Sequence, residues 1–149
     1  TNGLDSRLGA GQLDVFASWE IIAAGAQAAG RVSPVGFNYV DDVQQQDVYE
    51  LDIDDAGTLA VTLAWNLRFP QLAAGFAGTT AVYTNLDLCL DRASEDQWQQ
   101  VDCSSSTAET TENLYAALQR GRYRLRVVRA DGAAQQDYGL AWRLQPVQP

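Results

Sequence analysis

Between residues 49 and 144 the chain repeatedly alternates apolar with polar side chains, in short stretches separated by turn-forming residues. Tyr49, Leu51 and Ile53 alternate with Glu50, Asp52 and Asp54, and Leu59, Val61, Leu63 and Trp65 share one face of the next stretch. Leu86, Leu88 and Leu90 alternate with Asp87, Cys89 and Asp91. Further stretches follow at Trp98 to Ser104, at Glu112 to Ala116, at Tyr123, Leu125 and Val127, and at Tyr138, Leu140, Trp142 and Leu144. A period of two sends successive side chains to opposite faces of a strand. Seven or eight short strands of this kind, with no helix among them, predict an antiparallel β-sandwich. Asp55-Ala56-Gly57 has the turn chemistry of a tight hairpin. Arg92 to Gln97 reads as a second hairpin loop, and residues 67–80, with Pro70, Gly75 and Gly78, as a longer loop crossing between sheets.

Upstream the period changes. Gly11 to about Ala29 contains Leu13, Val15, Phe16, Trp19, Ile21, Ile22 and many alanines, which predicts a helix closed near Gly25 or Gly30. On a helical wheel only Asp14 and Ser18 mark a polar side, so the apolar surface wraps most of the way round. Such a helix either packs deeply on its own sandwich or offers part of its surface to another domain. Residues 31–46, with Pro34, Gly36, Asp41, Asp42 and three consecutive glutamines, have loop composition. The expected organisation is a helical tail over 1–30, a linker over 31–46 and a sandwich over 47–149. The chain opens on Thr1 rather than Met, which suggests a longer parent protein.

Composition narrows the function. The 149 residues include no histidine and carry a formal charge of −9, and all ten cationic side chains are arginine. A phosphate backbone would be repelled over most of such a surface, so nucleic acid is an unsuitable partner. Without histidine, neither a Ser-His-Asp nor a Cys-His site can be assembled. Ser104, Ser105, Ser106 and Thr107 then lack a base to activate them. Asp87 and Asp91, four apart on one strand, stand roughly 13 Å from each other, too far for paired acid–base work. No phosphate loop, CxxC pair or HExxH motif is present. No apolar run approaches the length needed to cross a membrane as a helix.

Three groups of residues remain as candidate sites. Asp41, Asp42, Asp47, Asp54 and Asp55 offer the hard oxygen ligands that suit Ca²⁺, the only cofactor the chain suggests, although their spacing departs from the regular calcium-loop pattern. Cys89 and Cys103 lie fourteen positions apart across the second hairpin and form a candidate disulfide. Parity opposes it: inward Leu88 and Leu90 turn Cys89 outward, whereas an inward Val101 would turn Cys103 inward. A bulge in the second strand would reconcile them. Arg122, Arg124 and Arg126 share one strand face. They either pair with carboxylates such as Glu50, Asp52 and Asp54 on a neighbouring strand or form an anion-reading surface for a partner.

Two patterns resemble known families. Gly9-Ala10-Gly11-Gln12-Leu13-Asp14-Val15, with Ala17 and Ser18, resembles the G-x-G-x-L-N-V-x-x-A stretch that opens the last helix of the catalytic domain in subtilisin-like serine peptidases. Tyr49 to Ile53, Thr58 to Asn66 with its Trp65-Asn66 end, Leu86 to Asp91, Glu112 to Leu118, Gly121 to Val127 and Tyr138 to Leu144 together resemble, in that order, the bacterial pre-peptidase C-terminal domain. The resemblance implies a jelly-roll-like sandwich following a secreted, periplasmic or cell-surface bacterial peptidase whose catalytic Asp, His and Ser lie outside this chain. The chain itself would be a non-catalytic accessory domain, aiding secretion or folding or holding the enzyme on an insoluble protein or polysaccharide. A free-standing carbohydrate- or polymer-binding sandwich is the alternative, favoured if Trp98 is exposed beside another aromatic ring.

Overall fold

The computed structural model describes residues 4–5, 7–9, 12–69, 81–130 and 136–147. Among them are one helix, α1 (Val15–Ala24), and nine strands: β1 (Gly30–Val32), β2 (Val35–Val40), β3 (Gln46–Ile53), β4 (Gly57–Ala64), β5 (Leu86–Ser94), β6 (Gln97–Ser104), β7 (Thr111–Leu118), β8 (Gly121–Arg129) and β9 (Tyr138–Pro146). They build a five-stranded sheet in the order β1-β3-β8-β5-β6 and a four-stranded sheet in the order β2-β9-β4-β7. The pairings are antiparallel, except that β1 runs parallel to β3.

The alternating stripes explain why the sheets stack. Leu51, Ile53, Leu88, Leu90, Leu125 and Val127 point inward from one sheet, and Leu59, Val61, Leu63, Leu140 and Trp142 from the other, all at most 2% exposed. Each such burial contributes roughly 1.5–3 kcal/mol. Tyr49 and Trp142 anchor the two sheets to each other, with ring centroids 5.5 Å apart. Between the sheets a polar chain also runs: Asn38 Nδ2 donates to Tyr49 Oη at 2.9 Å, Tyr49 and Tyr138 share a hydroxyl contact of 2.7 Å, and Tyr138 Oη donates to Asp47 Oδ2 at 2.8 Å. Burial, joined by the Tyr49 and Asp47 contacts, raises the Tyr138 hydroxyl far above the ordinary tyrosine range, so it stays a donor.

Three expectations are corrected. Residues 31–46 are not a linker, because β1 and β2 fall within or at the edge of that span and supply one strand to each sheet. The periodicity of β2 is hidden because its apolar Val35, Phe37 and Tyr39 alternate with Gly36 and Asn38, the reverse of a simple core stripe. Gly36 is buried opposite Trp142, and a Cβ there would come within 3.0 Å of the Trp142 ring and 2.2 Å of the Gln27 amide. The Asp55-Ala56-Gly57 turn is not a hairpin: it carries the chain from β3 in one sheet to β4 in the other. Leu51 and Leu59 can thereby face the core from opposite sides.

The third correction concerns the helix. It begins at Val15 rather than Gly11, because Asp14 caps it: its Oδ1 accepts from the Ala17 amide at 2.9 Å. It ends at Gly25, whose φ of 82° few other residues adopt readily. Contact with β2 and β9 places it against the four-stranded sheet, yet none of its ten residues is buried. Deep packing on its own sandwich is therefore not what this helix does. The loop expected over 67–80 falls largely outside the described residues; Arg68 and Val82 at its ends form a two-residue bridge.

Candidate functional site

Strand β8 lies between β3 and β5, so its outward arginines meet carboxylates on both sides. The register sets Glu50 and Asp52 of β3 opposite Arg124 and Arg122, and Asp91 of β5 opposite Arg124. On the β3 side the pairs are exposed: Arg122 reaches Glu50 at 3.3 Å and Asp52 at 3.8 Å, and Arg31 from β1 also pairs with Asp52. On the β5 side they are covered. Arg124 Nε and Arg126 Nε each donate to Asp91 Oδ2 at 2.7 Å, and Arg126 Nη2 donates to Oδ1 at 3.0 Å. The Asp91 side chain is only 3% exposed. Burial alone would raise its pKa, but the hydrogen bonds from Arg126 and Arg124 outweigh that and hold it below the usual carboxylate range.

Of the partners expected from sequence, Glu50 and Asp52 engage the arginine face; no ion pair of Asp54 occurs among the described residues. Asp91 was read as an unsuitable catalytic partner for Asp87, and its role as the hub of this network was missed. Alternation did place it outward, but only the β5–β8 pairing, which sequence does not reveal, puts it beside two arginines. Trp98 on edge strand β6 completes the layer: its ring centre lies 4.6 Å from the Arg124 guanidinium carbon and 5.9 Å from that of Arg122. No second aromatic ring pairs with Trp98 among the described residues.

The five aspartates expected to hold calcium do not converge. Asp47 begins β3 and Asp54 follows its end, roughly 23 Å away along an extended strand. Asp47 is engaged by Tyr138. Asp41 and Asp42 follow β2, and Asp55 lies in the β3–β4 turn with Asp54. No cluster of three or more metal-ligating side chains occurs among the described residues. Asp42 Oδ1 and Gln136 Oε1 are both buried without a hydrogen-bond partner there.

Cys89 and Cys103 stand directly opposite each other on β5 and β6, with Cα atoms 4.0 Å apart, and are joined as a disulfide. The ladder shifts by one residue beyond Leu90, leaving Val101 as an extra residue on β6. Val101 is thereby released to solvent, half exposed, and the parity conflict disappears.

Next to Cys103, where β6 ends, a buried carboxyl replaces the serine chemistry considered from sequence. Ser104 Oγ donates to Glu112 Oε2, and the Ser106 amide donates to Oε1. Glu112 is fully buried, and burial raises its pKa despite these two hydrogen bonds, with nearby Asp87 adding to the rise. One serine hydroxyl and one serine backbone amide therefore hold a buried acid.

On the opposite side of the molecule α1 inverts the usual arrangement. Ala17, Glu20 and Ile21 are its half-buried side chains, and Glu20 Oε2 accepts from Arg143 Nε of β9 at 2.7 Å. Val15, Phe16, Trp19 and Ile22 are 60–69% exposed, with Phe16 and Trp19 rings 5.8 Å apart. The helix rests on the sandwich partly through an ion pair and turns its apolar side outward.

A solved structure shares this architecture. The pre-peptidase C-terminal domain of collagenase from Bacillus anthracis aligns with 79% of this chain and 96% of its own, at 14% identity and a TM-score of 0.56. The chain has a pre-peptidase-C-terminal-like β-sandwich fold. At that identity the likeness is one of fold. A mitogen derived from Yersinia pseudotuberculosis aligns over 77% of this chain and 87% of its own, at 8% identity and a TM-score of 0.46. A CBM4 structure aligns over 74% and 72%, at 10% identity and a TM-score of 0.43. Neither a protein-family profile nor any curated protein matches the chain.

Proposed function

We propose that the chain is a non-catalytic accessory domain of a secreted subtilisin-like serine peptidase, joined to the catalytic domain through the outward face of α1. The observation that carries this reading is the row of Val15, Phe16, Trp19 and Ile22, 60–69% exposed on a helix whose neighbouring Glu20 is turned toward the sandwich. Exposed apolar residues grouped on one element mark a contact surface. The stretch that leads into this helix resembles the one that opens the last helix of a subtilisin-like catalytic domain, where such a face would be covered. The absence of histidine is consistent with a catalytic triad that lies elsewhere in the parent protein.

Within this reading the action is positional. The Glu20–Arg143 pair and the Gln27 side chain, which donates to Val35 O at 2.8 Å and accepts from the Ser33 amide at 2.7 Å, tie α1 and its exit to β2 and β9. The catalytic domain would then carry the sandwich in a set orientation rather than on a flexible tether. The test is to produce the whole reading frame containing this chain and assay peptide hydrolysis. The reading requires activity that a serine-directed inhibitor abolishes and that this chain alone lacks. A reading frame with no such activity and no subtilisin-like core contradicts it.

A further inference from the structure

The outer face of the five-stranded sheet holds more than its ion pairs. A cleft of about 470 Å³ at the β5–β6 turn is lined by Trp98 with Gln97, Gln99, Asp96 and Glu95. A second, of about 520 Å³, includes Arg31, Asp52, Arg120 and Arg122 in its lining. Arg122 of the second cleft approaches Trp98 of the first, 5.9 Å from its ring centre. Ala93 pairs with Trp98 and its neighbour Arg92 with Tyr123, so a small side chain separates Trp98 from Arg122. A path from β6 to β1 crosses five strands at right angles, about 19 Å at the usual strand spacing.

We propose that this strip binds a neutral, hydroxyl-rich polysaccharide, with Trp98 as the stacking platform and Arg122 and Asp52 among its hydrogen-bonding groups. The strip is built from flat groups: an indole, guanidinium forks, carboxylates and amides. Trp98 is half-buried, with the Arg124 guanidinium 4.6 Å from its ring centre, and stands without the second aromatic ring that the sequence made the condition for such binding; a single apolar indole beside forked polar groups that bond neighbouring hydroxyls in pairs carries the proposal instead. Charge decides against a polyanion. Arg31, Arg122, Arg124 and Arg126 are each already paired with one or more of Glu50, Asp52 and Asp91, and the chain as a whole carries −9. A peptide added as a strand is disfavoured too, since the path crosses a sheet face whose backbone groups are already committed to the ladders. The site lies on the sheet opposite the one carrying α1, so it does not rest on the peptidase reading.

Affinity electrophoresis of this chain through gels containing soluble glucan, mannan, xylan or polygalacturonate tests the proposal. Retardation by at least one neutral polymer, little changed in molar salt, is expected. Trp98→Ala should weaken it roughly tenfold or more, about 1.4 kcal/mol. Arg122→Ala, at an exposed position, should weaken it less, and Trp19→Ala should leave it unchanged. Urea unfolding of each variant separates lost binding from lost fold, and Arg122→Ala carries the test if Trp98→Ala does not fold. Retardation by no neutral polymer overturns the proposal. So does retardation by polygalacturonate alone that salt abolishes, or loss of binding through Trp19 rather than through Trp98 and Arg122.

Discussion

The two outer surfaces of the sandwich reverse the roles that residue type would assign them. On the five-stranded sheet, charged Asp91 is 3% exposed, held by two arginines, one of which lies over the Trp98 indole. On the four-stranded sheet, α1 leaves Trp19 60% and Ile22 69% exposed. The first surface is complete because every carboxylate of its central network has a guanidinium in register. The second has no counterpart for its apolar row among the described residues. What distinguishes a surface finished within the chain, its charges already paired while its outer side is free to take a ligand, from one left open is the presence of partners in the same chain, and polarity alone does not reveal it.

If that contrast is right, perturbing the finished surface should cost far more than perturbing the open one. Asp91→Ala leaves two partly buried guanidinium groups without their carboxylate and should cost about 3–5 kcal/mol, read from urea unfolding of the isolated chain. Next comes the covalent tie on the same sheet. Opening the Cys89–Cys103 link, which closes a 14-residue separation, should cost about 3 kcal/mol, seen as a lower melting temperature in reductant or in the double serine variant.

Two carboxyls should then respond oppositely to pH. The Asp91 pKa is held below its unfolded value, so its contribution is present above that value, near 4, and is lost as pH falls through the folded pKa. Glu112 is raised, so its contribution is full below the unfolded value and is lost as pH rises through the folded pKa. Glu112→Gln can keep an acceptor for the Ser106 amide and offer a donor to Ser104. It should raise stability at neutral pH and remove the falling limb of the pH profile, while Asp91→Asn should flatten the acid limb. The smallest effect belongs to the open surface: Trp19→Ser or Ile22→Ser should shift stability of the isolated chain by no more than about 0.5 kcal/mol.

How much of this could be read in advance depended on whether a residue's partner lay on its own strand or on another. Leu51, Leu88, Leu125 and Trp142 declared themselves inward by period alone, and their strands and the sandwich followed. β2 did not, because Gly36 makes room for Trp142 and Asn38 bonds Tyr49, both demands from other strands. The turn at Asp55 was legible as a turn but not as a passage between sheets, since local chemistry does not specify which strand comes to lie beside which. At the arginine face, Glu50 and Asp52 could be anticipated, while Asp91 depended on β8 inserting between β3 and β5. The wide apolar girth of α1 was visible in sequence; that its apolar row faces away from the sandwich follows from Asp14 and Glu20 fixing its start and its rotation.

The most direct test of the docking claim compares acrylamide quenching of Trp19 in the isolated chain and in the product of the whole reading frame, using the difference between wild type and Trp19→Phe to isolate that residue. The account predicts a readily quenched Trp19 in the isolated chain and a shielded one, with blue-shifted emission, in the whole protein. Equal quenching in both would mean that nothing in the parent covers α1, and the accessory-domain reading would be wrong.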